Sequence, residues 1–435
     1  MEQPLNYLQN LKNHDLLIGY SSQEFKRIAT EFYLKLTEIP PQKIIIAERE
    51  PIQFLAKFLG ACAAKCPAFL CNPDWGKQEW EQVFNLVQQE YTDNNSNYSL
   101  PIPNTIMIPT GGSSGKIKFA IHTWETLMAS VQGFTEYFQI NTVNSFCVLP
   151  LYHVSGLMQF MRTLTTNGKL VITPFQTLEF YQKDYINPSE YFLSLVPTQL
   201  QRLLQDPQLT QWLSQFYTVF LGGAPAWDEL IEKARFHQIK LALTYGMTET
   251  ASQVATLKPD DFLQGKINSG QILPHTKITI NHQTGNINIE SKSLALGYYP
   301  QIWEDKDNLL VDDIGFLDAE GYLHITGRSS DKIITGGENI YPIEIESVIQ
   351  KTNMVIDVCV IGIPDKYWGQ AVTALYIPKT ANTSSSKIEN QIKNQLSKFK
   401  IPKYWISLPS LPRNAQGKIN RQQLQQIAQD FISNR

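Results

Sequence analysis

The chain has 435 residues, of which 43% are hydrophobic, 18% charged and 11% aromatic. That is the composition of a soluble globular protein, and the length exceeds the roughly 250–300 residues at which single cores stop growing, so two or more cores are expected. With 37 basic and 40 acidic residues the formal net charge is −3, which argues against nucleic acid or an anionic membrane surface as partner.

Residues 1–40 carry amphipathic helical spacing, and Met1-Glu2-Gln3-Pro4 shows neither a basic segment nor an apolar signal core. Ile44-Ile45-Ile46-Ala47 reads as a buried strand, Pro51 opens a helix to about Lys65, and Phe69-Leu70 is a second strand closed by Asn72-Pro73. Strand, helix and strand in that order imply a parallel sheet. The apolar stretch from Ile52 to Leu70 is interrupted by Lys57 and Lys65, so it predicts a buried helix and no membrane span. Cys62, Cys66, Cys71, Cys147 and Cys359 form no CxxC pair, and the first three lie in apolar surroundings. They read as reduced thiols in a cytoplasmic protein.

A polar connection, Tyr91 to Asn104, leads to the apolar run Ile106-Met107-Ile108 and then to Thr110-Gly111-Gly112-Ser113-Ser114-Gly115-Lys116-Ile117-Lys118. The glycines let backbone N–H groups converge on an anion, while hydroxyls and lysines add donors and positive charge. It is not a Walker A loop, because Gly111 and Gly115 are one residue too close and Ile117 replaces the magnesium-binding hydroxyl. Alone, such a stretch is better read as an ordinary polar turn. A helix follows over about Thr123–Phe138, with Thr123 as N-cap.

Phe146–Leu149 is a strand that ends in Pro150-Leu151-Tyr152-His153-Val154-Ser155-Gly156, and strands follow at Leu170–Ile172 and Tyr191–Val196. Thr218–Leu221 runs into Gly222-Gly223-Ala224-Pro225, and Leu241–Thr244 into Tyr245-Gly246-Met247-Thr248-Glu249-Thr250. Polar glycine turns at successive strand ends are what a doubly wound sheet with one shared cleft produces. From about Gly270 the pattern changes to hairpins, at Lys277–Ile280 with Asn286–Ile289 and at Asp313–Leu323. A compact polar stretch from Gly327 to Lys332 marks the domain boundary, placed after Arg328. Beyond it, a helix near Pro342–Lys351, strands at Val355–Ile363 and Ala371–Ile377, a helix over Lys387–Lys398 and an exposed turn bearing Lys418 predict a small α+β domain.

In order, these stretches resemble the motifs of the adenylate-forming superfamily of acyl- and aryl-CoA synthetases, luciferases and peptide-synthetase adenylation domains. The Gly/Ser loop resembles its phosphate loop, and Tyr245-Gly246-Met247-Thr248-Glu249 its Tyr-Gly-x-Thr-Glu motif. Asp313 through Arg328 resembles the ribose-binding segment, and Gly336–Glu346 with the Lys418 turn completes the set. The resemblance implies an α/β fold: a large N-terminal domain of stacked βα sheets with a β-hairpin-rich subdomain (residues 1–328), and a small mobile α+β C-terminal domain (residues 329–435).

By the same resemblance, Thr110, Gly112, Ser113, Ser114, Gly115 and Lys118 hold the outer phosphates of ATP, Thr248 donates to the α-phosphate, and Glu249 positions magnesium. Gly222, Gly223, Ala224, Tyr245 and Gly246 form the adenine slot, and Asp313 with Arg328 binds the ribose. Lys418 catalyses adenylation, and Gly336 and Gly337 meet the pantetheine arm of CoA after the small domain rotates. Without this context Glu249 reads as a helix-start carboxylate, Asp313 as a turn cap and Lys418 as a surface lysine.

The sequence departs from the common pattern at Gly111, Ile117 and Phe119, at Val311-Asp312 ahead of Asp313, and at Ser330, where many members carry the hinge aspartate. The stretch Leu149–Gly156 with Arg162 downstream resembles o-succinylbenzoate–CoA ligases of menaquinone and phylloquinone biosynthesis. That resemblance makes His153, Ser155, Gly246 and Arg162 acyl-pocket residues, with Arg162 pairing a second substrate carboxylate. Another aryl- or acyl-CoA synthetase, or a non-catalytic nucleotide-binding member, is the alternative, and both monomer and homodimer remain open.

Overall fold

A computed structural model describes residues 2–11, 15–40, 42–89, 104–111, 117–180, 186–336, 338–413 and 419–433. The expected polar connection of residues 91–104 therefore lies, except for Asn104, outside the described residues, as do Gly112, Ser113, Ser114, Gly115, Gly337 and Lys418. The chain divides into two compact units, one of residues 1–223, 234–278 and 289–309, the other of residues 224–233, 279–288 and 310–435.

The first unit holds two sheets. One has six strands in the spatial order Ile44–Ile46, Ala68–Leu70, Thr105–Gly111, Ile117–Thr123, Gly297–Tyr298 and Gln301–Ile302. Its first three strands are parallel, as strand–helix–strand spacing requires, and the helix Pro51–Ala63 crosses between the first two. The next strand was not anticipated. Ile117–Thr123 runs antiparallel to Thr105–Gly111, with Thr110 opposite Lys118 and Gly111 opposite Ile117. The Gly/Ser loop thus joins two strands of a hairpin and does not lead straight into a helix. The reason is visible in the sequence: Phe119, Ala120, Ile121 and His122 are all buried, so the run is a core strand. The helix Trp124–Phe138 starts only afterwards, its first turn capped by Thr123, whose hydroxyl accepts from the Thr126 N–H at 3.3 Å.

The other sheet has seven strands, ordered Gln271–Ile272, Ser252–Thr256, Leu241–Met247, Thr218–Leu221, Tyr191–Leu195, Asn144–Cys147 and Leu170–Ile172. The last five are parallel and the first two antiparallel. Apolar helices pack on these sheets: Phe160 of the helix Val154–Thr165 meets Phe25 and Phe58 edge-on, at 6.2 and 6.3 Å between ring centroids. All five cysteines are buried and unpaired, and burial pushes the Cys62, Cys71 and Cys147 thiols well above their usual range.

The second unit contains the hairpin of Asn308–Leu317 and Leu323–Arg328 and a sheet built on the long antiparallel pair Val355–Asp365 and Gly369–Pro378. Tyr404–Ser407 adds a parallel edge to that sheet, and the helix Pro342–Lys351 buries Ile345 and Ile349 in the core beside it. The helix predicted over Lys387–Lys398 is Ser385–Ile392, because the Ser384 hydroxyl accepts from the Lys387 N–H at 3.4 Å and fixes an earlier start.

Candidate active site

In the first unit, one cluster forms where the turn Thr248–Thr250 closes the strand Leu241–Met247. Gly246 makes the turn possible: a Cβ there would lie 2.2 Å from the carbonyl oxygen of Ser252. Ala251 leaves the turn with φ of 58°, a left-handed conformation that few side-chain-bearing residues adopt. Three contacts hold the turn in place. His122 Nε2 donates to the Thr248 carbonyl at 2.7 Å, the Ala295 N–H donates to the Glu249 carbonyl at 2.7 Å, and the Tyr298 hydroxyl donates to Glu249 Oε1.

Lys118 Nζ sits 5.1 Å from the Tyr298 ring centroid, and burial followed by the Glu249 charge holds the Tyr298 hydroxyl in its protonated, donating form. The fold therefore links three predicted residues, Lys118, Thr248 and Glu249, with Thr110 directly across the hairpin from Lys118. His122 and Tyr298, which connect them, were not anticipated as site residues. The one signal for Tyr298 was its place in the Gly297-Tyr298-Tyr299 run.

Glu249 offers the hard carboxylate oxygen that magnesium prefers. Among the described residues there is no group of three or more His, Cys, Asp or Glu able to cage a metal. A single carboxylate fits a magnesium ion that is otherwise held by phosphate oxygens.

Neighbouring strand ends bring together the residues that the sequence marked for a nucleotide slot. Leu221 lies opposite Leu243, so Gly222 and Gly223 emerge beside Thr244 and Tyr245, and a Cβ on Gly222 would fall 2.5 Å from Thr244 Oγ1. Tyr245 is buried, and Ala224, exposed, follows Gly223.

A second cluster surrounds Arg162. His153 is the N-cap residue of the helix Val154–Thr165, half-buried, with Tyr152 at 4.5 Å between rings; Ser155 in its first turn is exposed. Gly156 closes this entry, since a Cβ there would come 2.2 Å from the Pro150 carbonyl oxygen. Two turns on, Arg162 is only 4% exposed. Its Nη2 donates to Ser252 Oγ at 2.7 Å and Gln253 Oε1 at 3.0 Å, and its guanidinium stacks 4.1 Å from the Phe134 ring centroid. Nε has no partner among the described residues, and no carboxylate there pairs with the cation. Burial accordingly pulls the guanidinium down to about 9. Ser252 and Gln253 belong to the strand that follows the Thr248–Thr250 turn, so both clusters hang on one short segment.

In the second unit, the hairpin register sets Arg328 opposite Asp313, and Arg328 Nε donates to Asp313 Oδ1 at 2.8 Å. Burial works against the Arg328 charge, but Asp313, Asp331 and Asp312 outweigh it and hold the guanidinium above its ordinary value. Two departures noted in the sequence meet here: Asp312 accepts from the Ser330 N–H at 3.0 Å and from the Ser330 hydroxyl. Gly336, with φ of 58°, lies apart from that pair, its N–H on the Trp368 carbonyl at 2.8 Å and Phe399 close by.

Comparison with known proteins identifies the family and the fold. A family model described as AMP-binding enzyme matches residues 94–299, and one described as AMP-binding enzyme C-terminal domain matches residues 344–418. A curated 2-succinylbenzoate--CoA ligase of Bacillus anthracis is 31% identical over 339 residues, covering 75% of this chain and 70% of its own length. The o-succinylbenzoate CoA synthetase (MenE) of Bacillus subtilis, in complex with the acyl-adenylate intermediate OSB-AMP, superposes with a TM-score of 0.80 at 23% identity, covering 98% of both chains. The same enzyme with ATP and magnesium ion gives 0.82 at 22% identity, over 98% of this chain and 99% of that one.

The chain belongs to the family of AMP-binding enzymes, in the branch whose curated members are 2-succinylbenzoate--CoA ligases. The superpositions establish the fold expected from the sequence, a large α/β N-terminal part followed by a small α+β part.

Proposed function

We propose that this chain is an ATP- and magnesium-dependent acid–thiol ligase. It activates o-succinylbenzoate as an acyl-adenylate and transfers the acyl group to CoA, giving o-succinylbenzoyl-CoA, AMP and pyrophosphate for menaquinone or phylloquinone biosynthesis. The observation that carries this reading is Arg162, a buried cation without a carboxylate partner among the described residues, set against an aromatic wall. A buried unpaired charge is unfavourable, and an aromatic acid with a spare carboxylate offsets it. The curated relatives named for this substrate support the same reading.

The roles follow from charge. Carboxylate and triphosphate repel each other, so attack on the α-phosphorus needs donors and cations in place beforehand. Thr110, Gly112, Ser113, Ser114, Gly115 and Lys118 take the outer phosphates, while Thr248 donates to the α-phosphate. Glu249, fixed by Tyr298, is the protein ligand of magnesium, which when bound neutralises the leaving pyrophosphate. Gly222, Gly223, Ala224, Tyr245 and Gly246 frame adenine, and Asp313 accepts from the ribose hydroxyls while paired with Arg328. His153 and Ser155 border the acyl pocket.

Residues 329–435 act as a moving body. Lys418 bridges carboxylate and α-phosphate in the first half-reaction, and Gly336 and Gly337 line the path of pantetheine in the second. Five buried, unpaired thiols fit a cytoplasmic protein, and no helix among the described residues is long and apolar enough to cross a membrane.

A pyrophosphate-release assay over a panel of carboxylic acids tests the proposal. Release with o-succinylbenzoate, followed by CoA-dependent thioester formation, is expected. Turnover of benzoates or fatty acids with none on o-succinylbenzoate overturns it.

A further inference from the structure

The Arg162 cluster has more polar valences than the protein itself fills. His275, just ahead of the strand Thr276–Ile280, has both ring nitrogens buried without a hydrogen-bond partner among the described residues. Its ring rests on Gly133, where a Cβ would sit 1.8 Å from Nδ1. The next residue, Phe134, carries the Arg162 guanidinium. Neighbouring positions of the helix Trp124–Phe138 thus contact the imidazole and the guanidinium, and the Arg162 charge acts on the His275 ring. Arg162 Nε and Gln253 Nε2 are also buried and unpartnered. Buried donors without acceptors are rare in native proteins, and here they crowd around one unpaired cation.

We infer that His275 is a specificity-determining residue that donates, together with Arg162 and Gln253, to the substrate carboxylate that does not react. The inference rests on the reading of Arg162 as the anchor of that carboxylate and extends it to a residue outside the recognised motifs. His275 discriminates a dicarboxylic acyl acid from the same skeleton lacking its second carboxylate.

The electrostatics agree. Burial, and then the Arg162 charge, hold the His275 imidazolium down at about 4, so the empty site contains a neutral ring able to donate one N–H. The other charges around it line the same surface cavity: Lys277 and Glu290, paired with each other at 2.9 Å, and Lys292 and Asp307. A carboxylate that pairs with Arg162 cancels the repulsion and raises the imidazole. Binding then takes up a proton, and a group whose ionisation rises on binding makes affinity increase as pH falls.

The test compares KM for o-succinylbenzoate with KM for 3-benzoylpropionate, the same skeleton without the aromatic carboxylate, in the full-length enzyme. His275→Gln is expected to raise the first about tenfold, as loss of a hydrogen bond to a charged group does, and to leave the second and the KM for ATP unchanged. In the wild type the ratio of the two constants should fall between pH 7 and 5.5, and H275Q should flatten that slope. If Arg162→Ala discriminates between the two acids while H275Q alters neither ratio nor slope, the His275 inference is wrong and the Arg162 reading stands. If R162A does not discriminate, both fall. A wild-type ratio independent of pH overturns the inference without any variant.

Discussion

The imidazole of His122 is fully buried, and because a carbonyl can only accept, Nε2 must carry the proton that it gives to Thr248. Nδ1 then faces Thr126 Oγ1 at 3.0 Å as an acceptor. Burial, opposed by the Thr248 bond, lowers this histidine from its ordinary 6.5 to about 4. The unfolded chain therefore binds the proton first. The contribution to stability is complete above pH 6.5, shrinks as pH falls, and is gone once pH passes below 4; a shift of this size is of order 3 kcal/mol. Denaturant midpoints of wild type and His122→Asn, measured from pH 7.5 to 4.5, should converge toward acid. Parallel curves would show that His122 is not neutral in the native state. Because the same ring holds Thr248, the loss of stability and of the formed Thr248–Thr250 turn should coincide.

The hairpin of Asn308–Leu317 and Leu323–Arg328 does two things with adjacent carboxylates. Asp313 faces across the strands to Arg328, while Asp312 turns the other way and binds the chain that leaves the hairpin at Ser329 and Ser330. In the sequence, Asp312 and Ser330 are two separate departures from the superfamily pattern. Side by side they form one clasp, a carboxylate accepting a backbone N–H and a hydroxyl. Asp312→Ala removes both acceptors from an exposed segment, so local opening there should become easier. Tryptic cleavage after Arg328 or Lys332 should speed up roughly three- to fivefold in the native protein, with KM for ATP nearly unchanged because Asp313, the ribose ligand proposed above, is intact. An unaltered cleavage rate would mean the clasp contributes nothing to the order of this segment.

At the scale of the whole molecule, the two half-reactions make different demands on the small domain. Adenylation needs a cation between two anions, the role proposed for Lys418, whereas in thioester formation a thiol attacks the uncharged acyl carbonyl of a mixed anhydride. Lys418→Ala should therefore abolish pyrophosphate release yet leave CoA thioester formation from supplied acyl-adenylate close to normal. Equal loss of both half-reactions would contradict the assignment. The family model that covers residues 344–418 ends on this lysine, and Arg413 and Ile419, either side of residues 414–418, form an antiparallel bridge.

Read alone, the sequence located the parallel strands of the first unit, the capped helix after Thr123 and the change to hairpins after Gly270. These are local features: apolar period, capping residues and glycines at turns are set by neighbours a few positions apart. It missed the strand Ile117–Thr123, since a run that is buried on both faces loses the alternation that marks a half-exposed strand. It also missed His122, Tyr298, Ser252, Gln253 and His275. Except for His275, whose role is the one inferred above, each meets a partner tens to more than a hundred residues away, as His122 does Thr248 and Ser252 does Arg162. Only the tertiary structure decides such pairings, because they are fixed by sheet order and helix packing and leave no spacing in the chain. The same packing turned Arg162 from a basic residue on a helix into a buried cation that lacks an anion among the described residues.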